Sequence, residues 1–123
     1  MIPRLSKSRI QSGRQCHKRL WLELKQPGTA RWGGAAQARL DEGTRFGELA
    51  QDLLGGGLLI AADHLHVREA LAETQAALKR PHTEIPMLFE PAFSYEDVRV
   101  RVDGFERGDR SDTLIEVKST TSV

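Results

Sequence analysis

The sequence predicts an α+β domain in which helices come first and an antiparallel sheet follows. Two observations favour this fold class. Before residue 80 the apolar side chains recur every three or four positions, as they do on one face of a helix. From residue 97 onward apolar and polar residues alternate, which is typical of strands. At 123 residues the chain is long enough for one core, so we expect a single domain over 1–123. Within it we expect a basic helical arm at 1–40 and a partial core at 41–123.

Three helical segments are predicted in the first part of the chain. Segment 5–24 begins with Ser6 as an N-cap and contains one or two short helices, with a break at Gly13. A loop rich in Gly and Pro follows at 25–37. Segments 41–54 and 64–79 are each predicted to be a helix with one buried apolar face; in the first, that face comprises Phe46, Leu49, Ala50, Leu53 and Leu54.

Strands are predicted after the last helix, because the period of the pattern changes there. Segment 84–93 is an expected edge strand or bent strand, since it holds two prolines. Segment 97–107 alternates strictly, and a polar turn separates it from a third strand at 113–120. We therefore expect a three-stranded antiparallel meander.

Charge and cysteine content restrict the class of protein. Residues 1–25 hold seven Lys or Arg against one acid, which is the asymmetry expected of a segment that meets a polyanion; the alternative is a solvated helix face. Cys16 is the only cysteine, so no internal disulfide forms and a reducing cytoplasm is the expected location. No apolar run approaches the roughly 20 residues of a membrane span.

Two carboxylates are predicted to face each other on the last two strands. The register that pairs Val102 with Val117 and Gly104 with Ile115 gives one wholly apolar face, and it sets Asp103 opposite Glu116. Facing carboxylates repel, and a divalent cation between them reverses that effect. We therefore expect Mg²⁺, Mn²⁺ or Ca²⁺ there, held by both acids and the Val117 carbonyl, with Lys118 beside a bound water. The alternatives are a chance E-x-K and a simple hairpin turn at Asp103-Gly104.

The segment "VRVDGF…LIEVKST" resembles the PD-(D/E)XK nuclease signature, and it matches as D-x12-E-x-K. The resemblance implies an incomplete restriction-endonuclease-like core in which Asp103, Glu116 and Lys118 are catalytic and Asp103 and Glu116 bind Mg²⁺ or Mn²⁺. Segment 5–24 is similar to the opening of the RecB-type branch that includes the iron–sulfur CRISPR-associated exonucleases: an S-x-S motif, a lone Cys, an Arg and an aromatic residue. "EGTRFGELAQDLL" resembles the helix that follows in that branch.

The chain also departs from this branch. The metal-binding His expected in the first core helix is replaced by Gly47, and the neighbouring Glu48 is either a substitute ligand or a solvated helix residue. The resemblance implies a 4Fe-4S cluster at Cys16 only in a longer protein with three further cysteines. Because the family continues past the E-x-K strand with a helix and another strand, we expect a truncated N-terminal piece. Such a piece should be inactive by itself and should self-associate through an exposed strand edge.

The leading function from the sequence is a metal-dependent, sequence-independent DNA nuclease domain that acts on single strands or ends. The alternatives are a PD-(D/E)XK-like module that binds nucleic acid or a partner without cutting, and a small regulatory protein. The residues expected to contact nucleic acid are basic and lie in two places, the N-terminal segment and the second strand: Lys7, Arg9, Arg14, Lys18, Arg19, Arg99 and Arg101.

Overall fold

The computed structural model of the protein describes residues 5–29 and 34–119. In this part of the chain, four helices and two mixed sheets form an α+β fold, which confirms the predicted class. No helix among the described residues has the length and apolar character needed to cross a bilayer.

The N-terminal segment joins a sheet before it becomes helical. Strand β1 (Leu5–Ser6) pairs in parallel with a later strand, β5 (Val98–Arg101), so the expected arm is integrated into the fold. Helix α1 (Lys7–Gln15) and helix α2 (His17–Lys25) follow. Ser6 is the N-cap of α1, as predicted, because its hydroxyl accepts the backbone N–H of Arg9 at 3.4 Å.

The break between α1 and α2 lies at Cys16 and not at Gly13, so that detail of the prediction was wrong. Cys16 has extended backbone angles, φ −162° and ψ 119°. Gly13 has a different role: a Cβ there would lie 2.9 Å from Cδ2 of Leu20. Glycine inside α1 therefore lets the two helices pack closely.

Helix α3 (Gly34–Leu53) begins seven residues before the predicted helix and ends as predicted, at glycines with positive φ: 84° at Gly55 and 82° at Gly56. Its predicted buried stripe was wrong. Leu49 is 52% exposed and Leu53 is 78% exposed. The side that turns toward the sheet includes only part of that stripe, Phe46, Ala50 and Leu54, together with Leu40, Gly43, Thr44, Gly47 and Gln51.

The core lies under helix α4 (Val67–Lys79). This helix starts three residues later than predicted, because the Asp63 carboxylate accepts the N–H groups of Leu65 and His66 and holds a turn. One face of α4 is buried through Ala70, Thr74 and Ala77. It packs against apolar residues from the strands and the loops before them: Ile60, Ile85, Leu88 and Ala92.

The predicted three strands are divided into five short ones: β3 (Met87–Phe89), β4 (Ala92–Tyr95), β5, β6 (Gly104–Glu106) and β7 (Thr113–Ile115). One sheet has the order β1-β5-β4, and the other has the order β2-β3-β6-β7, in which β2 is Leu58–Leu59. The chain leaves β3 at Glu90, whose φ is 57°, and at Pro91, which has no N–H for a ladder. The continuous meander was therefore wrong in detail, although the β3, β6 and β7 pairings are antiparallel.

Two arginines hold the places where the chain changes direction. Arg101 donates to the carbonyl of Glu90 at 3.1 Å and to that of Ile60 at 3.1 Å. Arg107 donates to carbonyls at the end of α4 and in the following loop, on Ala77, Leu78 and Ile85. These carbonyls would otherwise have few partners, so both guanidinium groups act as structural ties.

Candidate metal and nucleic-acid site

The predicted register of the last two strands is confirmed where the ladder exists. Gly104 pairs with Ile115, and Glu106 pairs with Thr113, in an antiparallel arrangement. The ladder ends at Gly104 and Ile115, so Asp103 and Glu116 are the next two residues beyond it. The two acids lie side by side at one end of the second sheet because the hydrophobic pattern fixes this register.

Asp103 continues the strand pairing with its side chain. Its Oδ2 accepts the backbone N–H of Val117 at 2.7 Å, and its backbone carbonyl accepts the N–H of Glu90 at 3.2 Å. The side-chain bond replaces the next rung of the ladder and orients the carboxylate toward the 116–118 segment. It occupies one of the two carboxylate oxygens of Asp103.

Glu116 accepts two ammonium groups on one oxygen, Oε1. Lys118 donates to it at 2.8 Å, and Lys7, the first residue of α1, is its other partner. These contacts, with Lys118 first and Lys7 second, lower the pKa of Glu116, and Glu116 in turn raises the pKa of Lys118. The S-x-S segment and the E-x-K segment, 109 residues apart, therefore meet at one carboxylate.

Glu90 is a third acid at this place, and the sequence analysis missed it. It is half-buried, and burial is the main cause that raises its pKa; Asp103 and Glu116 add to the effect, while Arg101 opposes it. Its carboxylate lies 3.7 Å from Nε of Arg101. A signal was present in the sequence, since Glu90 interrupts the apolar run "MLFEPAF".

A cleft of about 700 Å³ separates α3 from this end of the sheet. Asp103, Val117 and Lys118 line one wall, and Gly47 and Glu48 line the wall formed by α3. Glu48, which the sequence left as either a substitute ligand or a solvated helix residue, is exposed and lines the cleft. Gly47 has open space around the position its Cβ would take, and this is the position at which the resemblance led us to expect a metal-binding His.

The predicted nucleic-acid residues are distributed over three environments. Arg14 and Lys18 are exposed on α1 and α2. Arg19 donates to Glu23 at 3.1 Å and to Gln15 at 2.6 Å, and Arg101 is committed to the carbonyls named above. Lys7, Arg99 and the half-buried Arg9 lie near the start of α1. Cys16 is exposed and reduced.

The donor chemistry of this site fits a hard divalent cation that keeps several of its waters. In residues 5–29 and 34–119, no three His, Cys, Asp or Glu side chains gather closely enough to hold a metal ion by themselves. The oxygens at hand are the two carboxylates of Asp103 and Glu116 and the carbonyl of Val117. Two carboxylates with water completing the shell are typical of Mg²⁺ sites, whereas Zn²⁺ sites use Cys or His.

No protein-family model, curated protein or solved structure matches this chain. The function is therefore inferred from its own residues.

Proposed function

We propose that this chain is a metal-dependent DNA nuclease domain of the PD-(D/E)XK type, which hydrolyses phosphodiester bonds without sequence preference. The observation that carries the proposal is the meeting of Asp103, Glu116 and Lys118 at the end of the β6–β7 pair, next to an open cleft. Oxygen ligands and an amine at a phosphate-sized opening are the groups that phosphodiester hydrolysis requires.

Two carboxylates would hold the cation. Asp103 and Glu116 each use one oxygen for the hydrogen bonds described above, which leaves Oδ1 and Oε2 for another ligand. The backbone carbonyl of Val117 would be the third oxygen, and Glu48 on the opposite wall would reach the ion through a bound water, because no three such side chains gather among the described residues. When bound, Mg²⁺ or Mn²⁺ supplies an activated water and offsets the negative charge that builds on the phosphate.

The lysines supply the remaining positive charge. Lys118 and Lys7 now neutralise Glu116, so both ammonium groups already lie where a cation and a phosphate would approach. Lys118 would orient the attacking water or hold a phosphate oxygen, because its Nζ carries three donors and only one is used by Glu116. Lys7 would contact the next phosphate along the strand, since it comes from α1 and not from the sheet.

DNA binding would be electrostatic and independent of base sequence. The exposed basic side chains of α1 and α2 are suited to the phosphate backbone, whose contacts carry no base information. The affinity should therefore fall steeply as the salt concentration rises.

The test is release of label from single-stranded DNA by the intact natural protein in Mn²⁺ or Mg²⁺, with EDTA as the blank. We expect Glu116→Gln and Lys118→Ala each to lower the rate by about 10²-fold or more, because the first removes a charged ligand of the cation and the second removes a donor aimed at the water or phosphate. Glu106→Gln and Lys79→Ala change the same residue types at exposed positions away from the cleft, and they should leave the rate unchanged. Unchanged cleavage in both cleft variants would reject the assignment.

A second candidate function is a module that binds nucleic acid or a partner but does not cut it. Two observations favour it: Gly47 stands where the family has a metal-binding His, and two ammonium groups already neutralise Glu116. Salt-sensitive DNA binding in EDTA, with no cleavage in any divalent cation, would select this function over the nuclease.

A further inference from the structure

A second cavity lies on the other side of Lys7, between α4 and the sheet β1-β5-β4. Its volume is about 210 Å³. The floor is aliphatic and comes from α4, through Val67, Ala70 and Leu71, while the rim carries Lys7 and Arg99. Volumes of about 300–1,000 Å³ enclose a whole drug-sized ligand, so this cavity would enclose one ring and leave the rest of such a ligand at its mouth.

Strand register directs Arg99 into this cavity. Arg99 is the direct partner of Ser6 on β1 and of Ser94 on β4, and Ala92 is the partner of Arg101. Partners directly opposite each other point to the same face of a sheet. Ala92 is buried under α4, so this face is the one that α4 covers.

Arg99 is a half-buried cation that no other described residue pairs with. Burial is the main cause that lowers the pKa of Arg99, and Arg9, which has the same charge, adds to the effect. The second arginine of the strand, Arg101, differs because it donates to two carbonyls. A partly buried charge without a partner is unfavourable, and an anion in the cavity would supply one.

One carboxylate, that of Asp63, lines the cavity, and its Oδ1 accepts several hydrogen bonds. Asp63 accepts from Nδ1 of His66 at 2.7 Å and from the N–H of Leu65 at 2.8 Å. The other polar residues that line the cavity are neutral or basic: Ser6, Lys7, Ser8, His64, Arg99 and Arg101. The rim therefore favours an anion, while the floor favours a flat or aliphatic group.

We propose that this cavity binds one nucleoside monophosphate unit, with the base against Val67, Ala70 and Leu71 and the phosphate at Arg99 and Lys7. The choice of a nucleotide over other small amphipathic anions rests on the proposed nuclease function. Lys7 joins the two places, because it lines this cavity and contacts Glu116, which lies between Ile115 and the cleft residue Val117. The unit is either the end of the bound strand or the released nucleotide.

The test is titration of the protein with dTMP, thymidine and inorganic phosphate in EDTA, followed by calorimetry and by amide chemical shifts. We expect dTMP to bind at least tenfold more tightly than thymidine or phosphate and to shift the amides of Ser8 and Ala70. Arg99→Gln should weaken dTMP binding at least tenfold. Arg110 is an exposed arginine in the 108–112 turn, and Arg110→Gln should leave the affinity for dTMP unchanged. The proposal would be overturned if the Arg99→Gln protein, with its melting temperature preserved, bound dTMP as tightly as the unmodified protein. It would also be overturned if the unmodified protein did not bind dTMP.

Two further experiments are needed. The first distinguishes a strand end from a free nucleotide as the ligand, and the second distinguishes failure of the cavity proposal from failure of the nuclease proposal. Binding of a single-stranded trinucleotide ten times tighter than dTMP assigns the cavity to a strand end, and equal binding assigns it to the free nucleotide. Asp103→Asn keeps a side-chain oxygen for the N–H of Val117 and should retain dTMP binding while it abolishes cleavage. Binding without cleavage in the unmodified protein would reject only the nuclease, and cleavage without binding would reject only the cavity.

Discussion

At the scale of single residues, buried polar side chains make hydrogen bonds between elements that the sequence pattern does not reveal. Thr74 occupies an apolar position of the α4 stripe and is 1% exposed. Its hydroxyl donates to the carbonyl of Ala70 at 2.8 Å and accepts the N–H of Ala92 at 2.9 Å. It therefore joins the helix to the start of β4, a contact that depends on tertiary packing and not on local sequence.

We expect Thr74→Val to destabilise the protein by about 1–3 kcal/mol, because it leaves the buried N–H of Ala92 without a partner while the volume stays nearly the same. Urea unfolding measures the loss. Thr44→Val is the matched control: Thr44 also donates to the carbonyl four residues earlier, at 3.0 Å, but it is exposed on α3. The free energy of unfolding of the Thr44→Val protein should stay within about 0.5 kcal/mol of the wild-type value. Equal losses in the two variants would contradict the account of Thr74.

The candidate site shows what local sequence can and cannot predict about residues. Asp103, Glu116 and Lys118 were predictable, because alternation on two strands fixes one register, and that register brings the two acids together. Lys7 was predicted only as a nucleic-acid contact and not as a partner of Glu116, and Glu90 was not assigned to the site. Lys7 reaches it through the parallel pairing of β1 with β5, and Glu90 through a reversal of the chain at positive φ. Neither feature leaves a periodic pattern.

At the scale of elements, the α1–α2 pair is held by one buried hydroxyl and one carboxylate. Ser12 is 4% exposed and donates to Oε1 of Glu23 at 2.8 Å. This bond is the main cause that lowers the pKa of Glu23, and Arg19 adds to it. A carboxylate whose pKa is lower in the folded state stabilises the fold above its unfolded pKa, and this contribution is lost as the pH falls through the folded pKa.

We expect Glu23 to titrate below its ordinary value of 4.5, and Ser12→Ala to raise its pKa toward that value. NMR of the side-chain carboxyl carbon measures both. The melting temperatures of the two proteins should differ at pH 7 and converge as the pH falls below the pKa of Glu23. Ser8 lies on the same helix, and its hydroxyl contacts that of Ser6. Ser8→Ala should therefore leave the pKa of Glu23 unchanged. An identical pKa for Glu23 in the wild-type and Ser12→Ala proteins would refute this coupling.

Element types were easier to predict than element boundaries and partners. The helices α3 and α4 and the β6–β7 pair follow from periodicity, Gly punctuation and alternation. The division of segment 84–93 into β3 and β4 depends on which sheet each half joins, and the 97–107 strand divides for the same reason. The buried face of α3 was mispredicted because an apolar stripe shows which face can be buried and not whether a partner covers it.

At the scale of the whole molecule, stability is concentrated on one side. The buried cluster joins α4 to the strands around Leu88, which is 0% exposed. Helix α3 keeps large apolar side chains exposed, and β7 is the last strand of its sheet in the described part of the chain, with Leu114 66% exposed. Self-association through that strand edge stays a prediction, as does an iron–sulfur cluster at Cys16.

We expect native-state hydrogen exchange to be slow in the core around α4 and fast in α3. Amides of α4 and β3 should exchange only through global unfolding, and amides of α3 should exchange much faster, because few buried apolar contacts hold that helix. Measurement at two protein concentrations checks that association does not protect α3. Protection of α3 as strong as that of α4 in the dilute sample would show that α3 belongs to the same cooperative unit.

The measurement that tests the central claim most directly is Mn²⁺ titration of the isotope-labelled protein, monitored by paramagnetic broadening of backbone amides. A cation held by Asp103 and Glu116 should first broaden the amides of residues 103–104 and 116–118 together with those of Gly47 and Glu48 across the cleft. Asp103→Asn should remove this pattern at the same Mn²⁺ concentration. Broadening spread over all exposed acids, or unchanged in the Asp103→Asn protein, would contradict a metal site at the end of the β6–β7 pair.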